Sequence, residues 1–123
     1  MSVVLYGSQS TASLVVHWLL IELGIAHELR QLDFERGEQK SAEFLAINPA
    51  GRVPALILDG QVLTESAAIA MHLADLHPQA GLAPAPGSAA RGDYYRWMCF
   101  CVYTLMLAYR AWFYPNEPAG ELH

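Results

Sequence analysis

The stretch that most restricts how this chain can fold is residues 48–75, which read N-P-A-G-R-V-P-A-L-I-L-D-G-Q-V-L-T-E-S-A-A-I-A-M-H-L-A-D. Asn48, Pro49 and Gly51 are turn chemistry, because proline presets one backbone dihedral and glycine permits positive φ. Ala55, Leu56, Ile57 and Leu58 form a short uninterrupted apolar run, the pattern of a buried strand. Asp59-Gly60 is the strongest short hairpin signal in the sequence, and Gln61, Val62 and Leu63 make the returning strand. Thr64 stands where a helix cap belongs, followed by Glu65 in a first turn where its charge complements the helix dipole. The residues from Ala67 to Leu73 are mostly apolar, and the helix stops near His77-Pro78. Proline cannot donate to a strand ladder, so Pro54 is expected at the very start of its strand; the isomer of the Val53–Pro54 bond is left open.

Two features of this stretch suit a ligand. A helix start bearing the small polar pair Glu65-Ser66 is a ready-made anion site. An extended entry at Val53-Pro54 leaves main-chain groups able to pair with an extended ligand.

The upstream residues complete a sheet. Val3, Val4, Leu5 and Tyr6 read as a buried first strand, and residues 7–11 as a polar loop. Residues 14–23 are nearly all apolar, broken only by His17 and Glu22, which predicts a deeply buried helix stopped by Gly24. Residues 27–32 form a second strand with Ile25, Leu29 and Leu32 as its apolar members. Residues 33–40 are charged surface loop, and residues 42–45 a short helical turn. The resulting order is β-α-β-α-β-β-α, with the first two strands parallel through a right-handed crossover and the hairpin adding two more.

Residues 48–75 resemble the glutathione-binding half of the N-terminal domain of cytosolic glutathione S-transferases. The resemblance implies an α/β fold: a thioredoxin-like βαβαββα domain with a four-stranded mixed sheet, followed by a long α-helix of a truncated all-α domain. It also implies roles. The backbone of Val53, before Pro54, pairs with the cysteinyl unit of glutathione, while Glu65 and Ser66 hold the γ-glutamyl end. The chemistry agrees, since a carboxylate accepts from the γ-glutamyl ammonium and Ser66 with helix N–H groups donates to its carboxylate. A bare T-E-S would be only a cap; within the 28-residue pattern the binding reading prevails.

Chemistry is expected in the loop of residues 7–13. In the family a Tyr, Ser or Cys near the first helix stabilises the glutathione thiolate. The resemblance sets Thr11 opposite the serine of the serine-type classes and Ala12 opposite the cysteine of bacterial beta-type enzymes, so a cysteine mechanism is not expected. Ser10, Thr11 and Ser13 remain as hydroxyl candidates, with capping of the first helix as the competing role. A free thiol titrates near about 8.5, and bringing it to about 6.5 takes about 2.7 kcal/mol, the size of one hydroxyl hydrogen bond to the anion plus a helix N-terminus. The stretch G-E-Q-K-S followed by E-F-L, residues 37–45, is similar to a family segment whose Gln or His and nearby Lys approach the glycyl carboxylate. That carries Gln39 and Lys40 into the site, with Arg52 helping through its charge; a solvated surface lysine is the plainer alternative for Lys40.

The remaining inventory excludes more than it adds. Cys99 and Cys101 match neither a zinc spacing nor a C-x-x-C motif and read as buried free thiols of a reducing compartment. The histidines show no metal spacing, so no metal is expected. The formal net charge of −5 argues against nucleic acid. Residues 78–88 are a Pro/Ala/Gly linker, and residues 89–114 read as one long helix, apolar on most faces. Its uncharged run, residues 97–109, is too short to cross a bilayer, and the N-terminus lacks the basic region of a signal peptide. The expected organisation is a glutathione-binding domain at 1–78, a linker at 79–88 and an incomplete helical domain at 89–123, either a fragment or a short family member. A helix apolar nearly all round needs cover, which predicts a homodimer through residues 89–114.

The function expected is binding of glutathione and, if the protein is active, transfer of its thiolate to a small electrophile in the cytoplasm, with no membrane partner. The alternatives are a non-catalytic binding module and a maleylacetoacetate-isomerase-like enzyme. The N-P-A-G-R-V-P-A-L run resembles that last class, but its serine-cysteine motif is not present.

Overall fold

The computed structural model describes residues 1–115, and these divide into two compact units between Ala80 and Gly81. The loop expected to continue from Asn116 to Gly120 lies outside the described residues.

The first unit contains β1 (Val3–Gly7), α1 (Ser13–Glu22), β2 (Glu28–Gln31), α2 (Ala42–Ile47), β3 (Ala55–Leu58), β4 (Gln61–Thr64) and α3 (Ser66–Leu76). The strands form one sheet in the order β2-β1-β3-β4. β1 and β2 are parallel, whereas β1/β3 and β3/β4 are antiparallel, giving the mixed sheet expected. Leu5 and Leu56 point to the face covered by α1 and α3, where Val16, Leu20, Ile69 and Leu73 close the core. Side chains alternate across a strand, so Tyr6 points to the opposite face. There it meets the buried Phe44 of α2 at 5.5 Å between ring centroids.

Local rules explain the element ends. The amide of Gly24 (φ 67) donates to Ile21 O and that of Ile25 to Leu20 O, the paired closure that glycine permits after a helix. Asp59 and Gly60 both have positive φ, as the tight turn between β3 and β4 requires. Asp59 also ties the hairpin to the N-terminus: its carboxylate accepts from Ser2 N at 2.7 Å and its amide donates to Ser2 O at 2.8 Å. Gly7 is needed for close approach, because a Cβ there would lie 2.7 Å from Ser13 Oγ.

Three expectations are corrected in this unit and the next. First, α1 is not deeply buried all round. Val16 and Leu20 face the core, but Leu14, Val15, Trp18 and Ile21 are exposed, because one helix on a sheet buries only one stripe of its surface. Second, Thr64 does not cap a helix. It is the last residue of β4, paired with Ala55, and α3 starts at Ser66 with no side-chain cap. Third, Cys99 and Cys101 are free but exposed, since the helix that carries them leaves most of its apolar surface open.

In the second unit, Ser88 caps α4 (Ala89–Cys99) by accepting from Arg91 N at 3.1 Å. Arg91 is buried and donates to Pro84 O at 2.9 Å. The expected single helix is helical throughout, but it is wound as a π-helix over Phe100–Met106 before α5 (Leu107–Phe113). Wider winding shifts the direction of every later side chain, which a 3.6-residue period does not foresee. Among the described residues no helix is long and apolar enough to cross a membrane.

Leu20 is fully enclosed, so Leu20→Ala is expected to lower stability by about 2–5 kcal/mol in chemical denaturation, with no change of fold by circular dichroism.

Candidate functional site

Sheet topology gathers the separated candidates at one end. β2 runs parallel to β1, so both finish at the same edge, at Gln31 and Gly7. β3 runs the other way and starts there, with Ala55 beside Tyr6. β4 returns to end there, with Thr64 beside Ala55. The loop after β1, the Val53-Pro54 entry to β3 and the Glu65-Ser66 exit from β4 therefore lie side by side.

The Val53 segment is held from below by a residue that the sequence marked only as a turn former. Asn48 is buried; its Nδ2 donates to Arg52 O at 2.8 Å and its Oδ1 accepts from Ala50 N at 3.1 Å. The turn is closed by Gly51 N donating to Asn48 O at 2.9 Å, and the Val53–Pro54 bond is cis. Among the described residues neither the N–H nor the C=O of Val53 forms a hydrogen bond. Pro54 is buried and Arg52 half-buried.

Gln39 and Lys40 reach the same turn. Lys40 Nζ donates to Ala50 O at 3.3 Å. A Cβ on Gly51 would sit 2.7 Å from Lys40 Nζ and 3.0 Å from Gln39 O, and Gly51 has φ 64, so both sterics and conformation call for glycine. Gln39 Oε1 is buried without a partner.

At the start of α3, Glu65 occupies φ 72, ψ 110, a region costly for a side-chain-bearing residue. Its carboxylate and the Ser66 hydroxyl form no hydrogen bonds among the described residues, and α3 has no side-chain cap. The first N–H groups of the helix thus stand open next to a free carboxylate and a free hydroxyl. The sequence reading sets the helix one residue early, with Glu65 in the first turn, whereas Glu65 precedes the helix; it gives no sign of the strained backbone at Glu65, whose only local signal is its position between a strand and a helix.

In the loop after β1, the three hydroxyl candidates differ. Ser13 is buried, with its Oγ accepting from Ser8 N at 3.1 Å and lying 2.7 Å from Thr11 Oγ1. Ser8 O receives Thr11 Oγ1 at 2.7 Å and Ser13 Oγ at 3.1 Å. Two hydroxyl protons therefore serve three short contacts inside the loop. Ser10 is exposed at φ 56, and its hydroxyl forms no hydrogen bond among the described residues. Ser8 Oγ donates to Leu32 O at 2.8 Å, fastening the loop to the end of β2. Tyr6 sits in its strand, as expected, with its OH receiving Arg30 Nη1 at 2.8 Å. Arg30 also bonds Glu28, and that hydrogen bond holds the Glu28 carboxyl below its usual range.

A hollow of about 100 Å³ borders the loop on its β2 side, lined partly by Ser10, Ser13, Leu14 and His17. It does not include Val53, Gln39, Lys40, Glu65 or Ser66. Among the described residues no three His, Cys, Asp or Glu side chains cluster as metal ligands would.

This arrangement has known counterparts. The family model for the glutathione S-transferase N-terminal domain matches residues 1–75. The chain belongs to the glutathione S-transferase family. It is 35% identical over 96 residues to a glutathione S-transferase of Xanthomonas campestris pv. campestris, covering 78% of this chain and 46% of that protein. It is 32% identical over 116 residues to the glutathione S-transferase GstA of Escherichia coli, covering 93% of this chain and 58% of that one. A Sulfitobacter glutathione transferase homologue, solved with bound glutathione, superimposes with a TM-score of 0.83 at 33% identity, over 89% of this chain and 52% of its own. A glutathione transferase of Methylococcus capsulatus gives 0.84 at 36% identity, over 97% and 60% respectively. The chain thus spans about half the length of the relatives it matches.

Asn48 is the clearest test of how the site is held. Asn48→Ala leaves Arg52 O and Ala50 N without their partner, and is expected to cost about 1–3 kcal/mol in chemical denaturation. Hydrogen exchange in the turn should speed up before the rest of the sheet loosens.

Proposed function

We propose that this chain binds glutathione along the open end of its sheet, and that its thiolate is then passed to a small electrophile. The observation carrying this reading is the uncapped start of α3, set beside the free Glu65 carboxylate and Ser66 hydroxyl. An amino-acid head group carries an ammonium and a carboxylate. In this reading the Glu65 carboxylate accepts from the ammonium, and Ser66 with the first α3 amides donates to the carboxylate. The unpaired main chain of Val53 then meets the middle unit of the ligand. From β4 to β1 is two strand spacings, roughly 10 Å, about the reach of an extended tripeptide. The bound glutathione of the Sulfitobacter homologue supports the same ligand.

The other end of the tripeptide carries the glycyl carboxylate, assigned to Gln39 and Lys40 with Arg52 nearby. The thiolate falls at the loop after β1. Ser10 is the donor in this proposal, because its hydroxyl is free to turn. A thiolate contact from Thr11 would give up a short hydrogen bond to Ser8 O or Ser13, and the enclosed Ser13 is further committed. The electrophile, a homodimer and a cytoplasmic setting, where glutathione is kept reduced, complete the proposal.

Titration calorimetry with glutathione tests the binding half. Glu65→Ala should weaken binding by about 10-fold to 150-fold, the worth of a charge-assisted hydrogen bond, with little change in thermal stability. Unchanged affinity would remove Glu65 from the site. Lys40→Ala should weaken binding and flatten its salt dependence. For the thiol, Ser10→Ala is expected to move the titration of bound thiolate absorbance upward by about one pH unit, leaving less thiolate at neutral pH. The same shift in Thr11→Ala, with none in Ser10→Ala, would reassign the donor.

A further inference from the structure

His17 and His27 have no role in the glutathione reading, yet the fold brings them together. Their separation in sequence matches no metal motif. His17 lies in the middle of α1, and His27 stands immediately before β2. The two rings meet at 5.3 Å between centroids, with 80° between their planes. Both residues are half-buried.

The ring nitrogens are available as ligands. His27 Nδ1 donates to Ile25 O at 2.8 Å. A carbonyl oxygen can only accept, so Nδ1 carries the proton and Nε2 of the neutral ring bears the lone pair. Histidines that ligate a metal are held in this way, the other ring nitrogen donating to a main-chain carbonyl or a carboxylate. Nε2 of His27 and both ring nitrogens of His17 form no hydrogen bond among the described residues. The torsion that aims an imidazole is broad, so His17 can turn a nitrogen towards the same point as His27 Nε2.

The spacing suits a shared ion. Two imidazoles on one tetrahedral ion, each nitrogen about 2.0–2.1 Å from it, have ring centres roughly 5 Å apart. We propose that His17 and His27 form a two-histidine site for a divalent transition-metal ion, which fastens α1 to the start of β2. Imidazole nitrogen suits ions of the zinc and copper group, whereas calcium and magnesium take oxygen. Glu28, next in sequence, is tied to Arg30 at 2.9 Å, which leaves the remaining positions on the ion to water. The hollow of about 100 Å³ that His17 borders has room for such waters. Neither histidine is among the residues assigned to glutathione, so this inference stands apart from that reading.

Titration of the chelator-treated full chain with Zn²⁺ tests it, followed by calorimetry and by NMR of the imidazole nitrogens. The expected result is that the His17 and His27 signals shift together as one ion binds, with a rise in melting temperature. His17→Asn and His27→Asn should each weaken that binding by about tenfold or more and lose the rise. The NMR measurement is made on the parent, so a variant that fails to fold does not hide the answer. It also separates this site from Zn²⁺ held by the exposed Cys99 and Cys101, which would leave both imidazoles unmoved. Unmoved His17 and His27 signals, a shift in only one of them, or parent affinity in both folded Asn variants overturns the inference.

Discussion

The pairing of β3 with a strand on each side governs the rest of the first unit. Ala55 faces Tyr6 on one side and Thr64 on the other, so the start of β3 is locked between the end of β1 and the end of β4. A shift by one residue would turn Leu56 out of the core and Ile57 into it. The same shift would carry Val53 away from the loop after β1 and from Glu65. Core packing and the geometry of the proposed site are thus one constraint: the burial of Leu56 against Leu5, Val16 and Ile69 holds the register, and the register aligns the Val53 and Glu65 segments.

The strands and the hairpin are legible in the sequence because their signals are local. Asp59-Gly60 can adopt positive φ at both positions, and an apolar run bounded by turns has few other uses. The roles proposed for Glu65 and Ser66 come from a pattern that extends over 28 residues rather than from either residue alone. Asn48 is only half legible. Its side chain spans the turn to Arg52 O and Ala50 N, a role that depends on the fold enclosing Asn48 itself. The hydroxyls of residues 10–13 are harder still. Sequence lists three equivalent donors, whereas the fold turns two of them inward and leaves Ser10 out, because Gly7 lets α1 start against the end of β1 and brings Ser13 Oγ to Ser8 N.

Two of the corrected expectations share one cause. Apolar content does not amount to burial in α1 or at Cys99 and Cys101, because burial requires a covering surface as well as an apolar side chain. Residues 14–23 carry enough apolar surface for two contacts, and the sheet supplies only one. The π-wound segment at Phe100–Met106 adds a second difficulty, since a helical period read from sequence assumes uniform winding and loses track of the facing direction after the first wide turn.

Hydrogen-bond accounting separates scaffold from site in this unit. Backbone and polar groups of the scaffold are matched: Asn48 to its turn, Ser8 to Leu32 O, Asp59 to Ser2, Thr11 and Ser13 to Ser8 O. Several groups without a partner among the described residues lie at one end of the sheet: the Val53 amide and carbonyl, the Glu65 carboxylate, the Ser66 hydroxyl, the first turn of α3, and Gln39 Oε1. Water can satisfy exposed groups, but it gives no reason for Glu65 to hold a strained backbone. That conformation makes sense when it aims a carboxylate past the end of β4, towards a group that carries positive charge and lies level with the α3 amides. In the proposed function an ammonium and a carboxylate on one carbon meet both demands at once, and the open main chain of Val53 takes the rest of a peptide.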